Sequence, residues 1–213
     1  MGPVLRSEAR DLAHGVRKVS AAFGSSVTVD VEERLVIWLE LIITWNGRHD
    51  LTAARSNAEL CDLMLADAFA LSQRIPAGLR LVDVGSGAGA PGFPLALLRP
   101  NLKVTLVEPQ AKRASFLRTC VGATGRLDVD IVRARVEALD PGGWDVAMSR
   151  ATLAPPEWLA VGATLVLPGG SVWVLVARDE PPEIPGATMA EEIAYALPHL
   201  GHARRAVRYV TIA

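Results

Sequence analysis

Three glycines at alternate positions carry the first chemical signal in this chain. In Leu81-Val-Asp-Val-Gly-Ser-Gly-Ala-Gly-Ala90 an apolar run enters Gly85, Gly87 and Gly89. Lacking a Cβ, such residues let a backbone turn sharply and come close to a ligand. A helix opening straight after the turn points its free N–H groups at that ligand. Glu108 lies about 20 residues beyond the last glycine, at the end of the next apolar run, where an acid accepts hydrogen bonds from both ribose hydroxyls of an adenosine-type cofactor. Asp83, Gly85, Gly87, Gly89, Ala90, Glu108, Pro109 and Gln110 are therefore candidate cofactor-binding residues.

The turn alone does not separate S-adenosylmethionine from a nicotinamide dinucleotide, because GSGAGA also satisfies the loose GxGxxA fingerprint. Three features favour S-adenosylmethionine. Asp83 puts an acid where a dinucleotide domain usually has an apolar residue. Pro91-Gly92-x-Pro94 opens the following helix. Only 105 residues follow Glu108, too few for a second nucleotide-binding half and a substrate domain.

Two later segments add candidates. Val136-Glu137 follows a third apolar run, where a methyltransferase holds the adenine ring with a backbone N–H and a nearby acid; the pair has no meaning apart from its position. Ser149-Arg150-Ala151 follows a fourth run. Arg150 is the candidate catalytic residue, able to orient a cofactor carboxylate or a substrate phosphate by bidentate hydrogen bonds. A solvated strand-end arginine is the plainer alternative. No spacing of His, Cys or acids suggests a metal site.

The elements that must position these residues are legible as patterns. Residues 5 to 23 are weakly amphipathic. Asp30, with Glu33 as capping-box partner, is expected to start a second helix that Gly47 ends; Ser56 and Glu59 cap a third. From Leu79 short apolar runs alternate with helical stretches, which implies a parallel sheet covered on both faces. Strands are expected at 80–84, 103–107, 129–132, 144–148 and 171–176. Runs at 191–197 and 206–212 are joined by too few residues for a parallel crossover, so they form an antiparallel hairpin. The expected fold is α/β: a Rossmann-like core over residues 79–213, with a helical extension over residues 1–78 packed on one side of the sheet.

Half of the 213 residues are hydrophobic and the formal net charge is −1. That composition excludes a disordered chain and a bulk electrostatic pull on nucleic acid, so any RNA contact needs a local basic patch. Cys61 and Cys120 sit in apolar helical patterns and read as buried thiols in a reducing, cytoplasmic setting. No signal peptide or membrane span is expected.

VDVGSGAGAPGFPLALLRP, VTLVEPQAKRASFL, ARVEAL and MSRA together resemble the bacterial 16S rRNA guanine-N7 methyltransferases, the glucose-inhibited division protein B family. Trp45-Asn46-Gly-Arg-His-Asp-Leu51-Thr52-Ala53 is similar to that family's WN…NLTA segment, and Leu65-Ala-Asp67-Ala to its LLDS. The resemblance runs from about residue 30 to about residue 176. It implies a class I S-adenosylmethionine-dependent fold with the cofactor at Gly85, Ala90, Glu108, Val136, Glu137 and Arg150. It implies transfer to N7 of a guanine in 16S rRNA, by a monomer acting without a metal on RNA or the small ribosomal subunit.

The chain departs from the family pattern at Met64, where a histidine is usual; at Asp50, where an asparagine is; and after Val176, where a Lys-Gly end is. Arg178 is a candidate substitute for that lysine. These departures leave open a methyltransferase acting on another RNA or a small molecule, or a degenerate rRNA-binding paralogue. Candidate RNA contacts are Arg48, His49, Lys112 and Arg113. A second basic cluster, His199, His202, Arg204, Arg205 and Arg208, is equally well a solvated hairpin end. Trp45 and Phe93 are candidates for stacking on a base.

Overall fold

A computed structural model describes residues 3–177 and 179–212, so Arg178 lies outside the described residues. Three helices come first: α1 (Pro3–Ala22), α2 (Val29–His49) and α3 (Asn57–Ser72). Strands and helices then alternate as β1 (Arg80–Val84), α4 (Gly92–Leu98), β2 (Lys103–Val107), α5 (Ala111–Thr124) and β3 (Asp130–Val132). A 3₁₀ turn (Val136–Ala138) leads to β4 (Trp144–Ser149), α6 (Pro155–Leu165), β5 (Val166–Val176), β6 (Ala187–Ala196) and β7 (Ala203–Thr211).

The strands form one sheet in the order β3-β2-β1-β4-β5-β7-β6. β1 to β5 pair in parallel, while β7 runs antiparallel to both β5 and β6. This is the expected mostly parallel sheet closed by an antiparallel hairpin. The chain leaves β1 first toward β2 and β3, then returns to β4 on its other side. Such a reversal opens a crevice at the carboxyl ends of β1 and β4, which is where ligands of open α/β sheets bind.

Alternate strand residues feed two cores. Leu81, Leu106, Val146, Met148 and Trp173 pack with α1 to α5 on one face. Val82, Val84, Val107, Ala147 and Val174 pack with Trp158 and Leu159 of α6 on the other. Burial on both faces explains why the parallel strands read as continuous apolar runs. The three N-terminal helices share the first core, as their apolar spacing requires. α3 is buried on nearly every side, from Leu60 to Ser72, as a helix apolar all round must be.

Local signals held in part. Ser56 Oγ accepts from the Glu59 N–H, but the Glu59 carboxylate returns to the Arg55 N–H rather than to that of Ser56. The cap of α2 is Thr28, not Asp30; its hydroxyl accepts from the Val31 N–H, and Asp30 instead pairs with Arg34 one turn on. Gly47 does not end α2. The helix continues to His49 and stops at Asp50, whose φ of 45° is left-handed. An interior glycine costs a helix only about 1 kcal/mol, so it need not end one.

A buried side chain of α2 helps tie the helical extension to the core. The indole Nε1 of Trp38, fully buried on α2, donates to the carbonyl of Ala88 at 3.1 Å. The Trp38 ring also meets Phe93 of α4 at 5.8 Å. Trp38→Phe deletes the donor and strands a buried carbonyl, so it should lower unfolding stability by about 1–3 kcal/mol. Chemical denaturation checks this; an unchanged midpoint would show that the bond contributes nothing.

Candidate active site at the carboxyl edge of the sheet

β1 runs straight into the glycine bend. The N–H groups of Gly85 and Ser86 both donate to the carbonyl of Val107, at 2.8 and 3.1 Å, so the bend hangs from the end of β2. Gly85, Gly87 and Gly89 have φ of 72°, 57° and 106°, values that side chains resist. The Gly89 N–H donates to the Ser86 carbonyl at 2.6 Å, closing the turn.

Glu108 reaches this bend. One carboxylate oxygen accepts from the Gly87 N–H at 2.9 Å and the other from the Gln110 N–H at 2.8 Å. The residue is only 2% exposed. Each oxygen still has a lone pair, so the carboxylate can take two more donors. Pro109 and Gln110 are exposed beside it, and Gln110 caps α5.

Asp83 lies under the bend, 1% exposed. Its Oδ2 accepts from the Gly92 N–H at 3.0 Å, while Oδ1 is buried without a partner. Burial pushes its carboxyl up to about 7, against the opposing pull of the Gly92 N–H and the Arg150 charge. A Cβ on Gly92 would come within 2.6 Å of that carboxylate. The PGxP segment therefore places a glycine where acid and helix must touch.

Arg150 does not project freely. Its Nη1 donates to the Leu63 carbonyl and, at 3.1 Å, to Asp67 Oδ2. Asp67 Oδ1 accepts from the Tyr195 hydroxyl at 2.6 Å. The end of β4 is fixed by Ser149 Oγ, which donates to the Val84 carbonyl at 2.8 Å. Thr152 makes a similar bond at 3.2 Å and lies against Gly85, covering that end of the bend.

A cavity of about 420 Å³ opens beside Arg150. Its walls include Thr52 and Ala53 from the loop after α2, Met64 and Asp67 of α3, Val174 of β5 and Arg204 of β7. Asn46 shapes the first wall, since its side-chain oxygen accepts from the Thr52 N–H at 2.8 Å. The lining takes Ser149 and Arg150 from the β4 end but no residue of the glycine bend and not Glu108. The bend and the cavity are thus neighbouring compartments that meet at the end of β4.

The remaining candidates separate. Val136 is half-buried and Glu137 exposed in the 3₁₀ turn, beyond the end of β3. Arg48 and His49 occupy the last turn of α2, Lys112 and Arg113 the first turn of α5. The two ends are joined, because Arg113 donates to the Asp50 carbonyl at 3.3 Å. Arg48 and Lys112 are exposed there. Phe93 cannot stack on a base: it is fully buried against Trp38. Trp45 is half-buried, edge-on to Phe116 at 5.4 Å. The C-terminal basic cluster is largely neutralised, with Arg205 on Glu180 and Glu192 and Arg208 on Glu191. Arg204 alone of these arginines lines the cavity.

Sequence reasoning missed Tyr195, Thr152 and the hydrogen bonds of Trp38 and Asp67. Only Asp67 had a usable signal. An acid inside the apolar run of α3 must find a partner, because buried carboxylates are almost never unpaired. Both cysteines are buried free thiols, and burial pushes that of Cys61 up to about 12. Among the described residues no helix is long and apolar enough to cross a membrane.

A family model described as rRNA small subunit methyltransferase G matches residues 31–203. The chain belongs to this family. The ribosomal RNA small subunit methyltransferase G of Halorhodospira halophila is 39% identical over 178 residues, covering 82% of this chain and 84% of that protein. Its namesake in Methylobacillus flagellatus is 33% identical over 83% of each. Among solved structures, a SAM dependent methyltransferase from Aquifex aeolicus has a TM-score of 0.53 at 13% identity, over 71% of this chain and 92% of that one. TrmN from Thermus thermophilus has a TM-score of 0.53 at 20% identity, over 78% and 53%. At such identities these two establish the fold.

The raised carboxyl of Asp83 has a consequence for stability. The folded state binds its proton more tightly than the unfolded chain does. Its contribution is therefore fully present below the ordinary carboxylate range and is lost as pH rises through about 7. Asp83→Asn should flatten the fall in unfolding free energy between about pH 4 and pH 7. Denaturant titrations at several pH values check this, and equal slopes for both proteins would show that Asp83 titrates normally.

Proposed function

We propose that this chain binds S-adenosylmethionine on the glycine bend and methylates N7 of a guanine in 16S ribosomal RNA. The observation that carries the reading is the Glu108 carboxylate, fixed on the Gly87 N–H with lone pairs left for two ribose hydroxyls. Gly85, Gly87, Gly89 and Ala90 would hold the cofactor's backbone-facing side, with Asp83 supporting the bend from below. Pro109 and Gln110 would flank the ribose, and Val136 and Glu137 the adenine. When bound, the cofactor supplies an electrophilic methyl group.

The acceptor would enter the cavity beside Arg150. Guanine N7 carries a free lone pair on the major-groove edge. It needs no deprotonation, and the cavity lining includes neither His nor Cys. The chain's task is then placement and exclusion of water, which can supply about 7–11 kcal/mol of a barrier. Arg150 would orient the acceptor or the cofactor carboxylate. Exposed Arg48 and Lys112, with His49 and Arg113 beside them, would meet RNA phosphates. Family membership supports an RNA substrate, and the reading places a monomer, without a metal, in the cytoplasm with the ribosome. Met64 on the cavity wall, where the family usually has a histidine, is the feature that favours another acceptor.

Primer extension across 16S rRNA from a deletion strain tests the reading. Loss of one guanine methylation, restored by the intact gene, is expected; an unchanged pattern would point to another substrate. Glu108→Ala should weaken S-adenosylhomocysteine binding by about 1–3 kcal/mol through a lost charge-assisted hydrogen bond. Titration calorimetry measures this, and a change of only a few tenths would remove Glu108 from the site. Gly85→Val should do more damage, since its Cβ would collide with Thr152 at a left-handed φ. Lys112→Glu should raise the KM for RNA and flatten its salt dependence without altering cofactor affinity; an unchanged KM would clear this surface of RNA.

A further inference from the structure

We infer that Asp67 is a positioning residue for methyl transfer, acting through Arg150 with Tyr195 as its second partner. The inference rests on the proposed function and deepens it. Asp67 projects from α3 among apolar neighbours and is 6% exposed. A buried carboxylate is costly unless it is paired and hydrogen-bonded, and here one donor serves each oxygen. Arg150 comes from the loop after β4, and Tyr195 comes from the hairpin strand β6. The Tyr195 ring is itself held edge-on by Phe23, with centroids 5.5 Å apart.

The geometry constrains Arg150 specifically. Its Nη1 is bound to α3 twice, at the Leu63 carbonyl and at Asp67. A guanidinium is a rigid planar fork, so fixing one nitrogen sets the direction of the others. Nη2 and Nε make no hydrogen bond among the described contacts, and Arg150 lines the cavity. The fork is thus held by one edge and keeps the rest for a bound molecule. Arg204 lies opposite Tyr195 in the hairpin register and lines the same cavity. Asp67 thus links α3 to the β4 end through Arg150 and to the hairpin strand beside Arg204 through Tyr195.

A structural ion pair would also be buried here, and kinetics separates the two roles. Tyr195→Phe removes one hydroxyl and keeps every carbon, while Asp67→Asn keeps the shape and removes the charge. Both should lower kcat for methylation of small-subunit RNA by about tenfold, the scale of one misdirected charged hydrogen bond. S-adenosylhomocysteine affinity should fall by less than kcat does, because the Glu108 contacts to the glycine bend are untouched. In an Arg150→Lys background Asp67→Asn should cost less than about twofold, because residues acting through one another are not additive.

Full kcat in both variants would overturn the role of Asp67. So would an equal loss in the Arg150→Lys background, or a loss confined to thermal stability. If Asp67→Asn fails to fold, Tyr195→Phe carries the test alone. Titration of S-adenosylhomocysteine into the unaltered chain tests the underlying reading separately. No binding there overturns the proposed function, whereas normal binding with unimpaired variants overturns only the positioning role.

Discussion

The Glu108 carboxylate, almost wholly buried, is shared between the N–H of Gly87 and that of Gln110. It stands at the end of β2 and reaches across to the bend that follows β1. Two neighbouring strand ends are thereby locked together by a charge-assisted bond. The Gly85 and Ser86 N–H groups add a second link to the same strand through the Val107 carbonyl. A glycine-rich turn is by itself the most permissive backbone in the chain. These contacts convert it into a fixed concave surface, and the positions of Asp83, α4 and the β4 end all follow from where it is held.

The helical extension completes that arrangement from the opposite side. Trp38 holds the Ala88 carbonyl, so the bend is gripped by β2 on one flank and by α2 on the other. α3 then forms a wall of the cavity beside Arg150 with two acids that an apolar helix would otherwise reject. Asp62 accepts from the N–H groups of His199 and Leu200 at 2.8 Å, tying the tip of the hairpin to α3. Asp67 ties down Tyr195 and Arg150. The N-terminal segment and the C-terminal hairpin, distant in sequence, thus meet beside the β4 end, and both contribute walls of the cavity.

Charge is distributed with the same economy. The net charge is near zero, and the C-terminal arginines are mostly consumed by glutamates of the hairpin. Arg48 and Lys112 remain exposed where the end of α2 meets the start of α5. That surface lies near the carboxyl edge of the sheet, since α5 begins just after Glu108. A net charge near zero gives the chain no general affinity for polyanions.

Much of this was legible in the residues alone. β1 and β2 were readable to the residue, because strands buried on both faces appear as short, mostly apolar runs bounded by turns. The glycine bend and the acid at 108 were readable because their conformations or spacing admit few other residue types. The hairpin was readable because so short a connection permits only one strand direction. What tertiary structure decided was partnership. Nothing near Asp67 in sequence announces Tyr195 or Arg150, more than 80 residues away. Nothing near Gly47 says that α2 will run past it to His49, nor near Phe93 that an indole will bury it. Local patterns reflect energies among residues a few positions apart. Which buried donor meets which acceptor depends on how whole elements pack, and that is settled only when the chain has folded.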